Sequence, residues 1–291
     1  MFDRDRLATL SAVVEEGGFE AAAARLHVTP SAVSQRIRAL ERQAGQVLVR
    51  RARPCTVTDA GSGLLRLSRQ IALLEAEVAH GLGDTGAGVA LPIAVNADSV
   101  TAWFLDAVAP VAEEHHARLD LQIDDEGSTA ALLREGGVVG AVTTAPESVQ
   151  GCAAVPIGAM RYHPVAARPV YERWFAGRSA AEGFTTAPRV DFGPKDKLQT
   201  RFVRQMTRRP CTGAVHRVPA ADGYHEAVRA GLGWGMFTPG PAHDGSVVLL
   251  DERRHLDVPL YWQHWRIRTP VLDALTASVV RTAAEELVQP E

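Results

Sequence analysis

The sequence predicts an α/β protein with a small helical N-terminal domain, one long helix and a larger C-terminal α/β domain. Three observations lead to this prediction. Residues 1–58 show short helical patterns with turn signals, and residues 59–82 show one continuous helical pattern. Residues 90–291 alternate short apolar or β-branched runs with helical patterns, which is typical of parallel strands joined by helices. A Gly-rich linker at 83–88 precedes the C-terminal domain.

The composition argues against several classes of protein. The chain has 291 residues, of which 46% are hydrophobic and 22% charged, as in ordinary globular proteins. Its apolar runs are shorter than the roughly 18 residues of a membrane span, and Met1 to Arg6 do not resemble a signal peptide. Three distant cysteines, Cys55, Cys152 and Cys211, form no CxxC pair. We expect a cytoplasmic protein without membrane contact, disulfide framework, metal or cofactor.

The charge is distributed unevenly. Between Arg25 and Arg53 there are seven arginines and one acid, Glu41, although the whole chain has a net charge of −3. Residues 91–291 carry 20 basic and 24 acidic side chains. A compact positive patch at one end of a mildly acidic chain is typical of a small nucleic-acid-binding domain joined to another domain.

Three short helices are predicted before residue 45. Gly17-Gly18 ends the first, and Ala21 to Ala24 form a second helix of small residues that lets another helix approach closely. The third begins with Thr29 as cap and Pro30 in the first turn, and it continues to about Gln43. This order and spacing is typical of a helix-turn-helix unit.

Two faces of the third helix differ in chemistry. Val33, Ile37 and Leu40 have the spacing of a buried stripe. Another face presents polar and guanidinium side chains that suit the major groove of DNA and its phosphates. A solvated helix face is the alternative, and the arginine excess favours DNA. We assign DNA contacts to Thr29, Ser31, Ser34, Gln35, Arg36, Arg38 and Arg42.

A basic hairpin is predicted after the third helix. Val47 to Val49 and Cys55 to Val57 have the composition of two short strands. Their connection carries Arg50, Arg51 and Arg53, which would lie beside the DNA backbone or in the minor groove. The alternative is an exposed basic loop. With this hairpin, residues 1–58 form a winged helix-turn-helix domain.

The long helix carries an apolar seam with heptad spacing. The seam extends over about two repeats and consists of Leu64, Leu67, Ile71, Leu74 and Val78. A monomer has no evident place to bury such a seam. We therefore interpret residues 59–89 as a dimerisation helix followed by a hinge. Packing of the seam against the C-terminal domain is the alternative.

Polar residues follow the predicted strands of the C-terminal domain, at 91–95, 119–123 and 138–142. Open α/β sheets bind ligands at the ends of their parallel strands, and a free helix N-terminus there favours a carboxylate. Acidic side chains can instead accept hydrogen bonds from a cationic ligand. A helix cap at Ser99 and a solvated acidic loop are the structural alternatives. The candidate ligand residues are Asn96, Asp98, Ser99, Asp124, Asp125, Glu126, Thr143 and Thr144.

The C-terminal domain is predicted to have two lobes with the ligand between them. Lobe 1 comprises about residues 90–161 and 266–291, and lobe 2 comprises about residues 162–265. In lobe 2, Asp196 and Asp222 are candidate ligand residues, and Asp222 is equally suited to cap a helix. Trp103 and Phe192 can form an apolar wall or belong to the core. The ligand carboxylate is expected near Ser99 and a cationic group near the acids at 124–126.

Residues 19–61 carry a specific pattern: Phe19, Ala22-Ala23, Leu26, Thr29 to Gln35, Ile37, Leu40-Glu41, Gly45, Val47 to Arg51 and Thr58 to Gly61. This pattern resembles the LysR-type transcriptional regulators, and the resemblance extends over essentially the whole chain. Val49 departs from the Phe that the family usually has before Arg, which is a conservative change.

Five C-terminal segments resemble the ArgP/LysG branch of that family: 95–99, 132–136, 140–144, 230–237 and 258–263. That branch senses L-lysine and L-arginine and controls genes for basic-amino-acid export. The resemblance implies a periplasmic-binding-protein-like effector domain and a homodimer or homotetramer. It also implies three partners: a double-stranded DNA operator, a small-molecule effector and RNA polymerase.

Two other classes of function are less well supported. The chain has no GxSxG, SxxK or HExxH motif, which disfavours an enzyme. A solute-binding protein is disfavoured by the basic N-terminal domain. A LysR-type regulator that responds to a different metabolite, for example an anionic one, remains the main alternative.

Overall fold

The computed structural model describes residues 1–82, 89–123, 129–207 and 209–289. A helical head with a two-stranded wing, a long helix and a two-lobed α/β domain follow one another along the chain. This order confirms the predicted fold class. Within the described ranges, no helix is both long and apolar enough to cross a membrane.

The head contains three helices: α1 (Arg4–Glu15), α2 (Phe19–Arg25) and α3 (Pro30–Ala44). The Oγ1 atom of Thr29 accepts a hydrogen bond from the Ala32 amide at 3.2 Å, so Thr29 caps α3 as predicted. Gly45 ends α3 in the left-handed conformation, with φ 69°. The predicted stripe of α3 is buried in the head core with residues of α1 and α2.

The wing consists of β1 (Val49–Arg50) and β2 (Thr56–Val57), paired antiparallel with Val49 opposite Val57. The amide of Cys55 donates to the Gly17 carbonyl at 2.9 Å, which ties the wing to the head. A Cβ atom at Gly61 would lie 2.2 Å from the Leu48 carbonyl oxygen. Only glycine therefore lets the next helix start so close to the wing.

The long helix α4 (Asp59–Gly81) contacts both domains of its own chain. Leu65 is buried in the head core, and Leu73 is buried in the core of the C-terminal domain. The first three seam residues pack partly against the head. Leu74 and Val78 continue the seam but are 42% and 63% exposed. The seam is therefore divided between a contact within the chain and an open apolar surface.

Lobe 1 begins with a parallel arrangement of strands. Its first elements are β3 (Ala90–Val95), α5 (Ala97–Ser99), a π-helical turn (Val100–Phe104), α6 (Leu105–Glu114), β4 (Arg118–Ile123), α7 (Thr129–Glu135) and β5 (Gly140–Thr143). β3 lies between β4 and β5 and is parallel to both. The ends of these strands therefore meet at one edge of the sheet.

A long strand leads into lobe 2. The following elements are β6 (Cys152–Ala166), α8 (Arg168–Trp174), α9 (Ala180–Thr186), β7 (Arg189–Asp191), α10 (Leu198–Thr207), β8 (Val215–Arg217), α11 (Ala221–Arg229), β9 (Gly235–Phe237), α12 (Pro239–Ala242) and β10 (Val248–Leu249). β7 and β8 pair in parallel, and β9 and β10 pair with the end of β6.

The chain returns to lobe 1 through β11 (Leu256–Trp265) and ends in α13 (Pro270–Glu286). β11 runs antiparallel to β6 along its whole length. Residues Tyr261 to His264, which the sequence prediction placed in lobe 2, pair with β5 of lobe 1. β6 and β11 thus form a two-stranded connection between the lobes, and the sheet order is β10-β6-β11-β5-β3-β4.

Candidate DNA interface and ligand pocket

The outer face of α3 presents four exposed polar side chains: Ser31, Gln35, Arg38 and Arg42. Arg38 and Arg42 border an open groove that Gln46 and Val47 also line. Neither guanidinium group has a hydrogen bond or ion pair to another residue that the structure describes. These two arginines are therefore available to contact DNA bases or phosphates.

Several predicted DNA residues at the start of α3 and along it have contacts within the head. The Nη2 atom of Arg36 lies 3.7 Å from Oδ2 of Asp5, which directs this side chain toward α1. The hydroxyl groups of Thr29 and Ser31 lie 2.9 Å apart at the cap. Ser34 is half-buried. Arg36 nevertheless lines the same open groove as Arg38 and Arg42. The predicted set of DNA contacts on α3 therefore stays a prediction.

The wing places three arginines at the edge of the head. Arg50 and Arg53 are exposed. The guanidinium carbon of Arg51 lies 4.8 Å from the centre of the Phe19 ring, a cation–π contact. This contact holds the Arg51 side chain beside the start of α2. The wing therefore extends the positive surface of α3 along the edge of the head.

A cavity of about 510 Å³ lies between the two lobes. Lobe 1 contributes the residues that follow β3, the end of β5 with Thr144 after it, and the start of α7 at Thr129. Lobe 2 contributes the turn at 192–198, Arg201 of α10 and Tyr224 of α11. Tyr162 and Leu260 contribute from the connecting strands. This volume suits a small metabolite.

Two carboxylates and two buried phenols face this cavity. The Tyr162 hydroxyl donates to Oδ2 of Asp98 at 2.7 Å. Burial, with added repulsion from the carboxylates of Asp98 and Asp196, raises the pKa of the Tyr162 phenol well above its usual range. Burial likewise raises the pKa of Tyr224, and the same two carboxylates add to the shift. Negative charge from both lobes is therefore concentrated around neutral tyrosines.

Asp196 is held in place by the turn at 192–198. Its Oδ2 atom accepts from the Phe192 amide at 2.8 Å, and its Oδ1 atom accepts from the Leu198 amide at 2.9 Å. Across the cavity, Oδ1 of Asn96 is buried without a hydrogen-bond partner among the described residues. An ammonium or guanidinium group of a ligand can satisfy such an acceptor.

The structure brings together five of the predicted ligand residues: Asn96, Asp98, Thr143, Thr144 and Asp196 line the cavity. Three others lie outside it. Ser99 is fully buried behind the wall, because the helix begins at Ala97 and its first turn carries Ser99 inward. Trp103 packs in the core against Phe104 at a centroid distance of 5.5 Å. Asp222 is exposed in the first turn of α11.

The predicted acidic cluster, Asp124, Asp125 and Glu126, lies outside the described residues. Sequence analysis did not assign Tyr162, Tyr224 or Arg201 to the pocket. Each comes from a different element, so no local spacing indicates that they converge. In the part of the chain that the structure describes, no group of three or more His, Cys, Asp or Glu side chains is arranged to hold a metal ion.

Comparison with known proteins identifies the family. Residues 4–62 match the family model described as a bacterial regulatory helix-turn-helix protein of the lysR family. The transcriptional regulator LysG of Mycobacterium tuberculosis is 47% identical over 98% of this chain and 94% of its own length. This chain is a LysR-family transcriptional regulator of the LysG/ArgP group. This assignment confirms the family resemblance seen in the sequence.

Relatives of this LysR-family regulator are also known by structure. ArgP from Mycobacterium tuberculosis superimposes with a TM-score of 0.89 at 46% identity and covers all of both chains. The lysine export regulator LysG of Corynebacterium glutamicum is 40% identical over 97% of this chain and 98% of its own length. Its full-length structure with the bound effector Arg gives a TM-score of 0.82 at 39% identity, covering 99% of this chain and 100% of that one.

A second full-length structure of the Corynebacterium glutamicum LysG gives a TM-score of 0.63 at 38% identity, with complete coverage of both chains. The two structures of one relative therefore differ from each other. The LysR-family regulator described here is more similar overall to the structure with bound Arg.

Proposed function

We propose that this LysR-family regulator senses a basic amino acid, L-arginine or L-lysine, and controls a gene for a basic-amino-acid exporter. One observation carries the proposal: Asp98 of lobe 1 and Asp196 of lobe 2 both line one metabolite-sized cavity. Carboxylates from both sides favour a ligand with a cationic group. The effector Arg bound by a relative and the export role in that relative's name support the same proposal.

The cavity also has groups that can bind the α-carboxylate of an amino acid. The cationic side chain of the ligand lies between the two carboxylates, with Asn96 accepting a further hydrogen bond. The α-carboxylate faces the hydroxyl groups of Thr143 and Thr144 and the guanidinium of Arg201, which all line the cavity. This orientation differs from the expected carboxylate position near Ser99, which lies behind the wall.

Ligand-dependent stabilisation tests the proposal on the full-length protein. A ligand at 100 times its dissociation constant is expected to stabilise the folded state by about 2.7 kcal/mol. We expect L-arginine or L-lysine to raise the melting temperature, and L-glutamate, L-leucine and an aromatic amino acid to leave it unchanged. Lys195, Lys197 and Arg201 also line the cavity, so an anionic metabolite is the competing effector. A shift with anionic compounds alone would contradict the proposal.

DNA binding is proposed to occur in the cytoplasm through two heads at once. In each head, α3 lies in the major groove, and the arginines of the wing contact the backbone. Two copies of the chain pair through the exposed part of the α4 seam at Leu74 and Val78. The two heads then bind the two halves of a dyad-related operator. Effector binding then changes the arrangement of the oligomer, which alters DNA bending and contact with RNA polymerase.

The exposed seam yields a test of this pairing. The double variant Leu74→Ser, Val78→Ser is expected to dissociate at protein concentrations at which the wild type is a dimer or tetramer, because it removes apolar surface that pairing buries. Light scattering over a dilution series measures the mass. Leu232→Ser is the matched control, since Leu232 is 43% exposed but lies far along the chain from α4. Equal masses for all three proteins would exclude this seam as the interface.

A further inference from the structure

Two arginines on α4 attach this helix to lobe 1. Arg69 donates from Nη1 to the Glu135 carbonyl at 3.2 Å, and Arg66 donates to the Gln150 carbonyl. Residues three apart lie on the same face of a helix, so both arginines point toward lobe 1 together. Both acceptors are backbone atoms at the ends of segments that begin at the ligand pocket.

The first of these segments is α7. It begins at Thr129, which lines the cavity, and ends at Glu135, the acceptor of Arg69. Its seven residues form a rod about 10 Å long. Because helical backbone hydrogen bonds keep so short a rod rigid, movement of Thr129 is carried to the Glu135 carbonyl.

The second segment connects Thr144 of the pocket to Gln150. The buried side chain of Gln263 holds it by three hydrogen bonds: Nε2 donates to the carbonyls of Ala145 at 3.0 Å and Glu147 at 2.9 Å, and Oε1 accepts from Val149 at 3.1 Å. Fully satisfied buried polar groups rigidify the backbone they bind. A shift of the pocket wall at Thr144 therefore also moves the Gln150 carbonyl that binds Arg66 of α4.

α4 approaches lobe 1 closely at two glycines. Gly136, directly after α7, has φ +74°, and a Cβ atom there would lie 2.8 Å from Cα of Arg66. A Cβ atom at Gly151 would lie 3.0 Å from the Arg66 guanidinium carbon. A displacement of α7 is therefore transmitted to α4 and not absorbed by loose packing.

Arg69 also contacts the head. Its Nε atom lies 3.3 Å from Oε1 of Glu15, the last residue of α1, and only 21% of the Arg69 side chain is exposed. α1 packs against α3 in the head core. One side chain therefore touches the DNA-binding head and the end of a pocket-lining helix at the same time.

We propose that Arg69 is the positioning residue through which occupancy of the pocket changes the placement of the DNA-binding head. The proposal rests on the effector-dependent function proposed above. A ligand shifts such an equilibrium only if it binds one arrangement better than another. The two full-length structures of one relative match this chain to different degrees, with TM-scores of 0.82 and 0.63, so that relative has been seen in more than one conformation.

The test measures coupling in the full-length protein. A DNA fragment is selected from a random library with the wild type, and its dissociation constant is measured without and with saturating L-arginine. The ratio of the two constants is the coupling, which is typically about 5- to 150-fold in allosteric proteins. We expect the coupling in Arg69→Ala to be at least threefold weaker than in the wild type. We expect Arg69→Lys to recover part of the wild-type coupling. L-arginine affinity without DNA is expected to change by less than about threefold, because Arg69 does not line the cavity.

Two further variants separate this role from general stability. Arg4→Ala removes the ion pair of 2.6 Å between Arg4 and Glu75, which joins head and α4 without touching lobe 1. We expect it to keep the wild-type ratio. Gly136→Ala, which pushes α7 away from α4, is expected to lower the ratio as Arg69→Ala does. An unchanged ratio in Arg69→Ala, or an equal loss in Arg4→Ala, overturns this inference. Failure of the wild type to bind L-arginine or L-lysine instead overturns the proposed function.

Discussion

Replacing Arg38 by alanine is expected to weaken binding to the selected DNA fragment by roughly 5- to 150-fold, which corresponds to about 1–3 kcal/mol for a good guanidinium–base contact. Arg38 lies exposed on the outer face of α3 and borders the open groove. It has no ion pair within the described part of the chain, so its removal leaves no unpaired partner in the head. The loss is therefore expected in DNA affinity and not in stability.

Arg36→Ala is the matched control for this measurement. Arg36 lies on the same helix and lines the same groove, but its Nη1 atom approaches Oγ1 of Thr9 at 3.5 Å and its Nη2 atom approaches Asp5. We expect its replacement to change DNA affinity less than that of Arg38. Fluorescence anisotropy with the selected fragment measures both. Equal losses in the two variants would show that general positive charge, and not the outer face of α3, determines binding.

Replacing Asp98 by asparagine is expected to weaken L-arginine binding by roughly 10- to 150-fold, because hydrogen bonds to charged groups contribute about 1.5–3 kcal/mol. The substitution keeps the shape of the side chain and leaves an oxygen that can accept from the Tyr162 hydroxyl. Folding and DNA affinity without ligand are therefore expected to stay at wild-type values. Isothermal titration calorimetry measures the ligand affinity.

Asp222→Asn provides the control for Asp98→Asn. Asp222 is also a carboxylate singled out in the sequence, but it lies exposed on α11 and outside the cavity. We expect wild-type L-arginine affinity in this variant. If Asp98→Asn binds L-arginine as the wild type does, Asp98 has no part in recognising the cation, and the proposed ligand orientation is wrong.

Much of the head was predictable because its signals are local. Thr29 and Pro30 mark the start of α3, and Val33, Ile37 and Leu40 mark its buried face. The strand ends of lobe 1 were also predictable, since Asn96 and Thr143 directly follow apolar runs. In each case a residue and its neighbours within two or three turns contain the whole signal.

The direction of single side chains was harder to predict. Arg36 and Arg38 are two positions apart on one helix, yet Arg36 turns to Asp5 while Arg38 stays exposed. The heptad seam of α4 was recognised, but Leu65 and Leu73, outside that seam, are the residues buried against the head and the C-terminal domain. Helical spacing indicates which residues share a face, and it does not indicate what packs there.

The sequence by itself determined the order of the domains, the DNA-binding helix and several polar residues of the pocket, because capping, periodicity and turn chemistry act between near neighbours. Only the tertiary structure decided that Tyr162 and Tyr224 meet Asp98 and Asp196, and that Arg69 joins the head to α7. These groups lie far apart along the chain. They meet because β6 and β11 connect the lobes and α4 packs on lobe 1, arrangements set by the burial of whole surfaces.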